Sequence, residues 1–134
     1  MGITDADHAE EHPEAPTLLL VPVSCPVPGR MSGAPKLSGH LTIQIRPGSR
    51  AAAVFGRAAI EEEYCCNYEM NGAYHDAIDA AGLRIVGLGS AGEARIVELP
   101  DHPFYIATLF QPQRASRPEA PHPLVTAFLT AAAS

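Results

Sequence analysis

Hydrophobic and polar positions divide this chain into a series of short elements. Residues 1–16 are polar, with Pro13 and Pro16, and read as loop or a short acidic turn. Thr17 to Cys25 (TLLLVPVSC) is a predicted strand, in which Pro22 implies an edge position or a bulge because proline gives no donor to a ladder. Residues 26–37 hold three prolines and two glycines and read as a surface loop. From His40 to Arg46 the pattern alternates, placing Leu41, Ile43 and Ile45 on one face of a half-buried strand. Pro47-Gly48 is a turn, and Ser49 is placed to cap a short helix over 50–55. Ile60 to Tyr68 is the next strand candidate. Asn71 is placed to cap a helix running to about Ala81, with Gly82 at its C′ position. Leu83 to Leu88 and Ala94 to Leu99 flank Gly89-Ser-Ala-Gly92, a hairpin signal.

The run Phe104 to Phe110 carries no charge and no alternation, which predicts a strand buried on both faces. Pro112 stops it, and the chain turns polar at Gln111-Pro112-Gln113. Groups at the carboxyl end of a central strand are the ones that meet a ligand in open α/β sheets. A last helix over His122–Ala132 carries Leu124, Val125, Phe128 and Leu129 on one face, which should dock on the sheet.

Composition narrows the function. At 134 residues the chain is one domain or part of one, able to bury about two thirds of its unfolded surface. A hydrophobic fraction of 46% and a charged fraction of 18% suit a chain with a sizeable core. The net charge of -6, with nine scattered Lys and Arg, leaves no basic patch for nucleic acid. No apolar run reaches the length of a membrane span. The acidic start, with Asp5, Asp7, Glu10 and Glu11, lacks the features of a signal peptide. Three cysteines, two of them adjacent, make no disulfide framework, so a reducing cytoplasm is the simplest setting.

Candidate chemistry is sparse. On a strand, Cys65 and Cys66 point to opposite faces and cannot act together. The pattern puts Cys66 with Ile60 and Tyr64, facing inward, and Cys65 outward among Glu61 and Glu63. A buried free cysteine acts as a small hydrophobe; a catalytic Cys66 thiolate would need a base or positive charge, and its strand offers none. Gln111 and Gln113 cannot take up protons near neutral pH, but they can line a polar pocket or satisfy loop backbone. Arg114 and Arg117 could bind a carboxylate or phosphate or simply form a solvated rim. Six histidines raise a metal site. His8 and His12 have i, i+4 spacing, yet Pro13 argues against the helix this needs, and the rest lack ligand spacing, so no metal or cofactor is expected. His102 and His122 each precede proline and serve turns.

Several of these segments together resemble the class I glutamine amidotransferase domain of CTP synthase, over roughly residues 3–130. Glu98-Leu-Pro-Asp-His-Pro-Phe104 and the following run to Arg117-Pro118 are similar to that domain's C-terminal signature. Gly82-Leu83, Ile85-Val86 and Gly89-Ser90 resemble its hairpin; Tyr68-Glu69 and Asn71, its Arg-Tyr-Glu segment; Ser38-Gly39, a Gly-Gly turn; Asp7-His8-Ala9-Glu10, the segment after the nucleophile-bearing helix. The likeness extends to proteins related to the CTP synthase C-terminal region, some of which carry selenocysteine.

The resemblance implies an α/β fold, a partial flavodoxin-like class I amidotransferase with a mixed sheet, over 1–134. It also implies altered chemistry. The family's triad His falls on Gln111, its triad Glu on Gln113, and its carboxylate-holding Arg on Asn67. The nucleophile elbow should lie upstream of Met1, and the synthetase part that uses ATP, magnesium and UTP has no counterpart. Two readings stay open. One is an amidotransferase-like protein without glutaminase activity, using Asn67, Tyr68, Gln111, Gln113 and Arg117 to hold a small polar ligand, or binding a protein partner that completes its sheet. The other is a thiol-dependent redox or acyl-transfer enzyme using Cys66.

Overall fold

The computed structural model describes residues 2–23 and 38–134. In chain order its elements are β1 (Ala6–His8), β2 (Thr17–Pro22), β3 (Ser38–Ile45), α1 (Arg50–Phe55), β4 (Ala59–Cys65), β5 (Tyr68–Met70), a 3-10 turn Gly72–Tyr74 running into α2 (His75–Ala80), β6 (Arg84–Leu88), β7 (Ala94–Glu98), β8 (Ile106–Thr108), α3 (Pro112–Ala115) and α4 (Pro123–Ala132). The architecture is mixed α/β in two sheets. One is antiparallel in the order β4-β3-β6-β7-β8. The other, β1-β2-β5, is mixed, with β1 parallel and β5 antiparallel to β2.

The alternating segment founds the core. Ile43 and Ile45 of β3 are buried together with Ile60, Val86 and Ile96 from the neighbouring strands. Ala51 of α1 and Leu124 of α4 close over them, so these two helices cover that face. Ser49 caps α1 as its sequence predicts, its hydroxyl accepting the Ala52 N–H at 3.0 Å. A second cap was not legible. Glu98, buried on β7, accepts the N–H groups of Arg50 at 3.1 Å and Ala51 at 3.0 Å, tying the start of α1 to the sheet.

The β6–β7 hairpin needs its glycines. A Cβ on Gly87 would lie 2.5 Å from Ile96 Cγ1, so only glycine lets the two strands close there. Gly92 sits at φ 82°, where L side chains are strained, and closes the turn by donating to the Gly89 carbonyl at 3.0 Å.

Several expectations are corrected. Residues 1–16 are not all loop, because β1 lies among them and gains its ladder from β2, a partner no local pattern reveals. Pro22 lies past the β1 pairing, which stops at Leu20, and is paired on one side only, with Tyr68, so it has an edge position locally although its strand is central. It is the last residue of β2, the middle strand of its sheet. Ser24, Cys25 and the 26–37 loop lie outside the described residues. The segment Ile60–Tyr68 is two strands in different sheets, parting after Cys65. The run Phe104–Phe110 is not buried on both faces. Only Ile106–Thr108 is strand, at the edge of the larger sheet, with Tyr105 and Ala107 exposed. On α4 Leu124 is buried in the core and Phe128 meets the Phe104 ring at 6.0 Å, yet Phe128 and Leu129 remain 55% and 60% exposed. β4 ends at Cys65, so Cys66 lies just beyond the strand, and both thiols are half-buried.

Candidate functional site at the strand junction

The chain passes from the larger sheet to the smaller between Cys65 and Tyr68, and most candidate residues gather there. Cys66 Sγ donates to the Tyr68 carbonyl at 3.1 Å and receives the Tyr68 N–H at 3.5 Å, which folds the junction into a tight turn. The Tyr68 ring packs against the His8 imidazole, with centroids 4.8 Å apart. The Asn67 carbonyl accepts the Val23 N–H at 2.8 Å, extending the β2–β5 ladder past Pro22.

Gln111 arrives from the far end of the larger sheet. It precedes α3, where Pro112 occupies the first position and needs no donor. Its Nε2 donates to the Cys65 carbonyl at 3.1 Å. Its Oε1 is buried and has no partner among the described residues. Cys66, Asn67, Tyr68 and Gln111 therefore share one locality. Gln113 and Arg117 do not join them. Gln113 is exposed on α3, and the exposed Arg117 donates to the carbonyls of Arg114 at 2.7 Å and Ser116 at 2.8 Å. Arg114 pairs with Glu63 at 3.3 Å on the surface, a contact of little energetic weight.

Two charged clusters escaped the sequence. His122 is buried, caps α4 by accepting the Leu124 N–H on Nδ1 at 3.2 Å, and meets Glu62 Oε1 through Nε2 at 2.9 Å. With Nδ1 as acceptor, Nε2 carries the proton and donates it to the carboxylate. The signal was present in His122-Pro123 before an apolar helix and in Glu62 on the Ile60 face. The pair lies three residues before Cys65 on β4, roughly 10 Å along the strand, and serves the helix rather than the thiol.

The second cluster centres on Arg95, buried in β7. Its Nε and Nη2 donate to Glu93 Oε1 at 3.4 and 3.1 Å, and Nη2 lies 3.6 Å from Glu69. Burial raises the Glu93 carboxyl. Bonds from its own N–H, from Arg95 and from the Ala91 N–H outweigh that and hold it below the usual carboxylate range. Among the described residues no three His, Cys, Asp or Glu converge as metal ligands, and no helix is long and apolar enough to cross a membrane.

Comparison with known proteins follows the fold closely. No family model matches the chain. The CTP synthase of Thermomicrobium roseum is 36% identical over 132 residues, covering 96% of this chain and 23% of that protein. The CTP synthase of Chloroflexus aurantiacus is 35% identical over 136 positions, covering 99% and 24%. Among solved structures, the Trypanosoma brucei CTPS glutaminase domain with bound acivicin superposes with a TM-score of 0.86 at 27% identity, covering 98% of this chain and 52% of that one. The chain thus spans about a quarter of the curated relatives it matches and half of the solved domain. In sequence and in fold it is a CTP synthase-type glutamine amidotransferase-like polypeptide.

Proposed function

We propose that this chain is an amidotransferase-like protein that does not hydrolyse glutamine and instead holds a small polar ligand at the Cys66–Tyr68 junction. The observation that carries the reading is Gln111. The resemblance aligns it with the family's catalytic imidazole, and its carboxamide cannot accept a proton near neutral pH. Its Nε2 is spent on the Cys65 carbonyl while the buried Oε1 awaits a donor. A ligand bearing an N–H or O–H group would satisfy that oxygen, whose isolation otherwise costs about 1–3 kcal/mol.

The competing use of Cys66 as a nucleophile or redox thiol draws less support. Its S–H points at the Tyr68 carbonyl oxygen, a bond the thiolate cannot make and whose acceptor would repel it. Two free, half-buried thiols suit a reducing cytoplasm. The open side of β1, which pairs only with β2 among the described residues, is an edge for a protein segment that completes the small sheet.

Ammonia release from L-glutamine by the purified chain tests the central claim. No turnover above the buffer rate is expected. Release that disappears in Cys66→Ser would overturn it.

A further inference from the structure

A cleft of about 590 Å³ runs between α2 and the strands β3 and β6. Its volume lies in the range that holds small molecules. None of Cys66, Asn67, Tyr68 or Gln111 lines it, so it stands independently of the reading above. Its wall carries apolar and charged groups that solvent reaches. The β6–β7 register shifts on either side of Gly87, an irregularity of the kind that re-aims neighbouring side chains. Leu88 follows directly and stands 40% exposed on the cleft wall, with the half-buried Ile85 on the same wall. Covering such a leucine is favourable in proportion to the apolar area removed from water.

Arg46 and Asp79 form the polar side of the cleft. They meet at 3.4 Å, and their side chains are 52% and 32% exposed, so a bound molecule can touch both. Asp79 spends Oδ1 on Arg46 Nη1 and on the Ile85 N–H at 2.9 Å, which holds the carboxylate against the start of β6. Its Oδ2 makes no hydrogen bond among the described residues and is not closed off from solvent. Asp79 also stands in the last turn of α2, where the helix dipole disfavours an anion. Asp76 lines the cleft one turn earlier on the same helix face; it is exposed, and its carboxylate has no partner among the described residues. With His75 uncharged, the charged side chains on the wall are these three, one cation against two anions. The cleft therefore carries an excess negative charge, on a chain whose net charge is -6. That field attracts a cation and repels an anion.

We infer that the cleft beside α2 binds a small monocation with an apolar body, a primary amine whose ammonium meets the Asp79 and Asp76 carboxylates while its body covers Leu88.

The test is an NMR titration of the full chain at pH 8, where an ordinary imidazole is neutral, following the methyl groups of Ile85 and Leu88. The probes are benzylamine, benzyl alcohol and phenylacetate, which share an aromatic body and differ in charge. Benzylamine should give saturable shifts at both methyl-bearing residues. Benzyl alcohol should bind about threefold more weakly, and phenylacetate more weakly still. Asp76→Asn, at an exposed position, should raise the Kd for benzylamine about threefold, and Leu88→Ala about fivefold. The inference is overturned if benzylamine does not saturate, or if benzyl alcohol or phenylacetate binds as tightly. It is equally overturned if either variant binds benzylamine like the unaltered chain. Should one variant fail to fold, the other decides.

Discussion

Replacing Glu98 by Gln tests how α1 is fastened to the sheet. The carboxylate is 5% exposed and gives one oxygen to each of two adjacent N–H groups at 3.1 and 3.0 Å. Arg50, the first helical residue, is anchored further by Nη1 to the His102 carbonyl at 2.8 Å and Nη2 to the Pro100 carbonyl at 3.3 Å. A hydrogen bond to an ionised acceptor contributes about 1.5–3 kcal/mol. A carboxamide keeps one acceptor but turns an NH2 toward the other N–H, so one such bond is lost. The attraction between the carboxylate and the helix N-terminus goes with it, about 0.5–1 kcal/mol. The expected loss is about 3 kcal/mol. With a urea m-value of roughly 2 kcal/mol/M, the unfolding midpoint should fall by about 1.5 M. Urea titration followed by circular dichroism reads this directly, with Glu119→Gln as an exposed control expected within about 0.5 kcal/mol. A loss below about 1 kcal/mol at an unchanged m-value would refute the claim that the carboxylate carries the cap.

Gly87→Ala should destabilise by about 1–3 kcal/mol, because the new methyl meets Ile96, which is fully buried; thermal unfolding indistinguishable from the parent would show that the hairpin can yield. For Glu93, burial acts to raise the carboxyl pKa but the bonds from its own N–H, Arg95 and Ala91 win, so the folded value lies below the unfolded one. Its contribution is therefore complete above the ordinary glutamate range and is lost as pH falls through the lower folded value. Glu93→Gln should flatten the acid limb of the stability profile below about pH 5, and an unchanged limb in urea titrations across that range would contradict this. In a Cys25→Ser background, iodoacetamide should label Cys65 before Cys66, whose sulfur is tied to Tyr68; the reverse order by intact mass would argue against the observed turn.

What the sequence disclosed was local. Leu41, Ile43 and Ile45 declared β3 by alternation, Ser49 declared the start of α1, and Gly89 to Gly92 declared the hairpin, since each signal and its structural consequence lie within a few residues. The failures share a cause, in that they depend on partners distant along the chain. β1 has three residues and exists because β2 offers it a ladder. The change of sheet after Cys65 leaves no mark in an apolar run. Phe104–Phe110 reads the same whether one face or two are covered, and only assembly of β7 against β8 decides it. Charged residues inside predicted strands, Glu62 and Arg95, were the overlooked clue, because a charge there must find a partner. The junction was half legible. Cys66, Asn67 and Tyr68 are adjacent in sequence, but Gln111 reaches them only through the fold.

Whether the junction could still support thiol chemistry turns on a base, and an imidazole does stand near it. His8 packs on Tyr68, whose backbone holds the Cys66 sulfur. Proximity alone does not make it an acceptor. His8 Nδ1 already accepts the Glu10 N–H at 2.9 Å, so the neutral ring carries its proton on Nε2. A neutral imidazole can gain a proton only on its bare nitrogen, and that nitrogen is the one in use. Taking a proton from Cys66 would require breaking the Glu10 bond, while the thiol would surrender its bond to the Tyr68 carbonyl. One bond within the His8–Glu10 segment and one that holds the Cys66–Tyr68 turn would be exchanged for an ion pair between groups that no contact among the described residues joins. Both bonds favour the neutral, hydrogen-bonded junction over a proton relay.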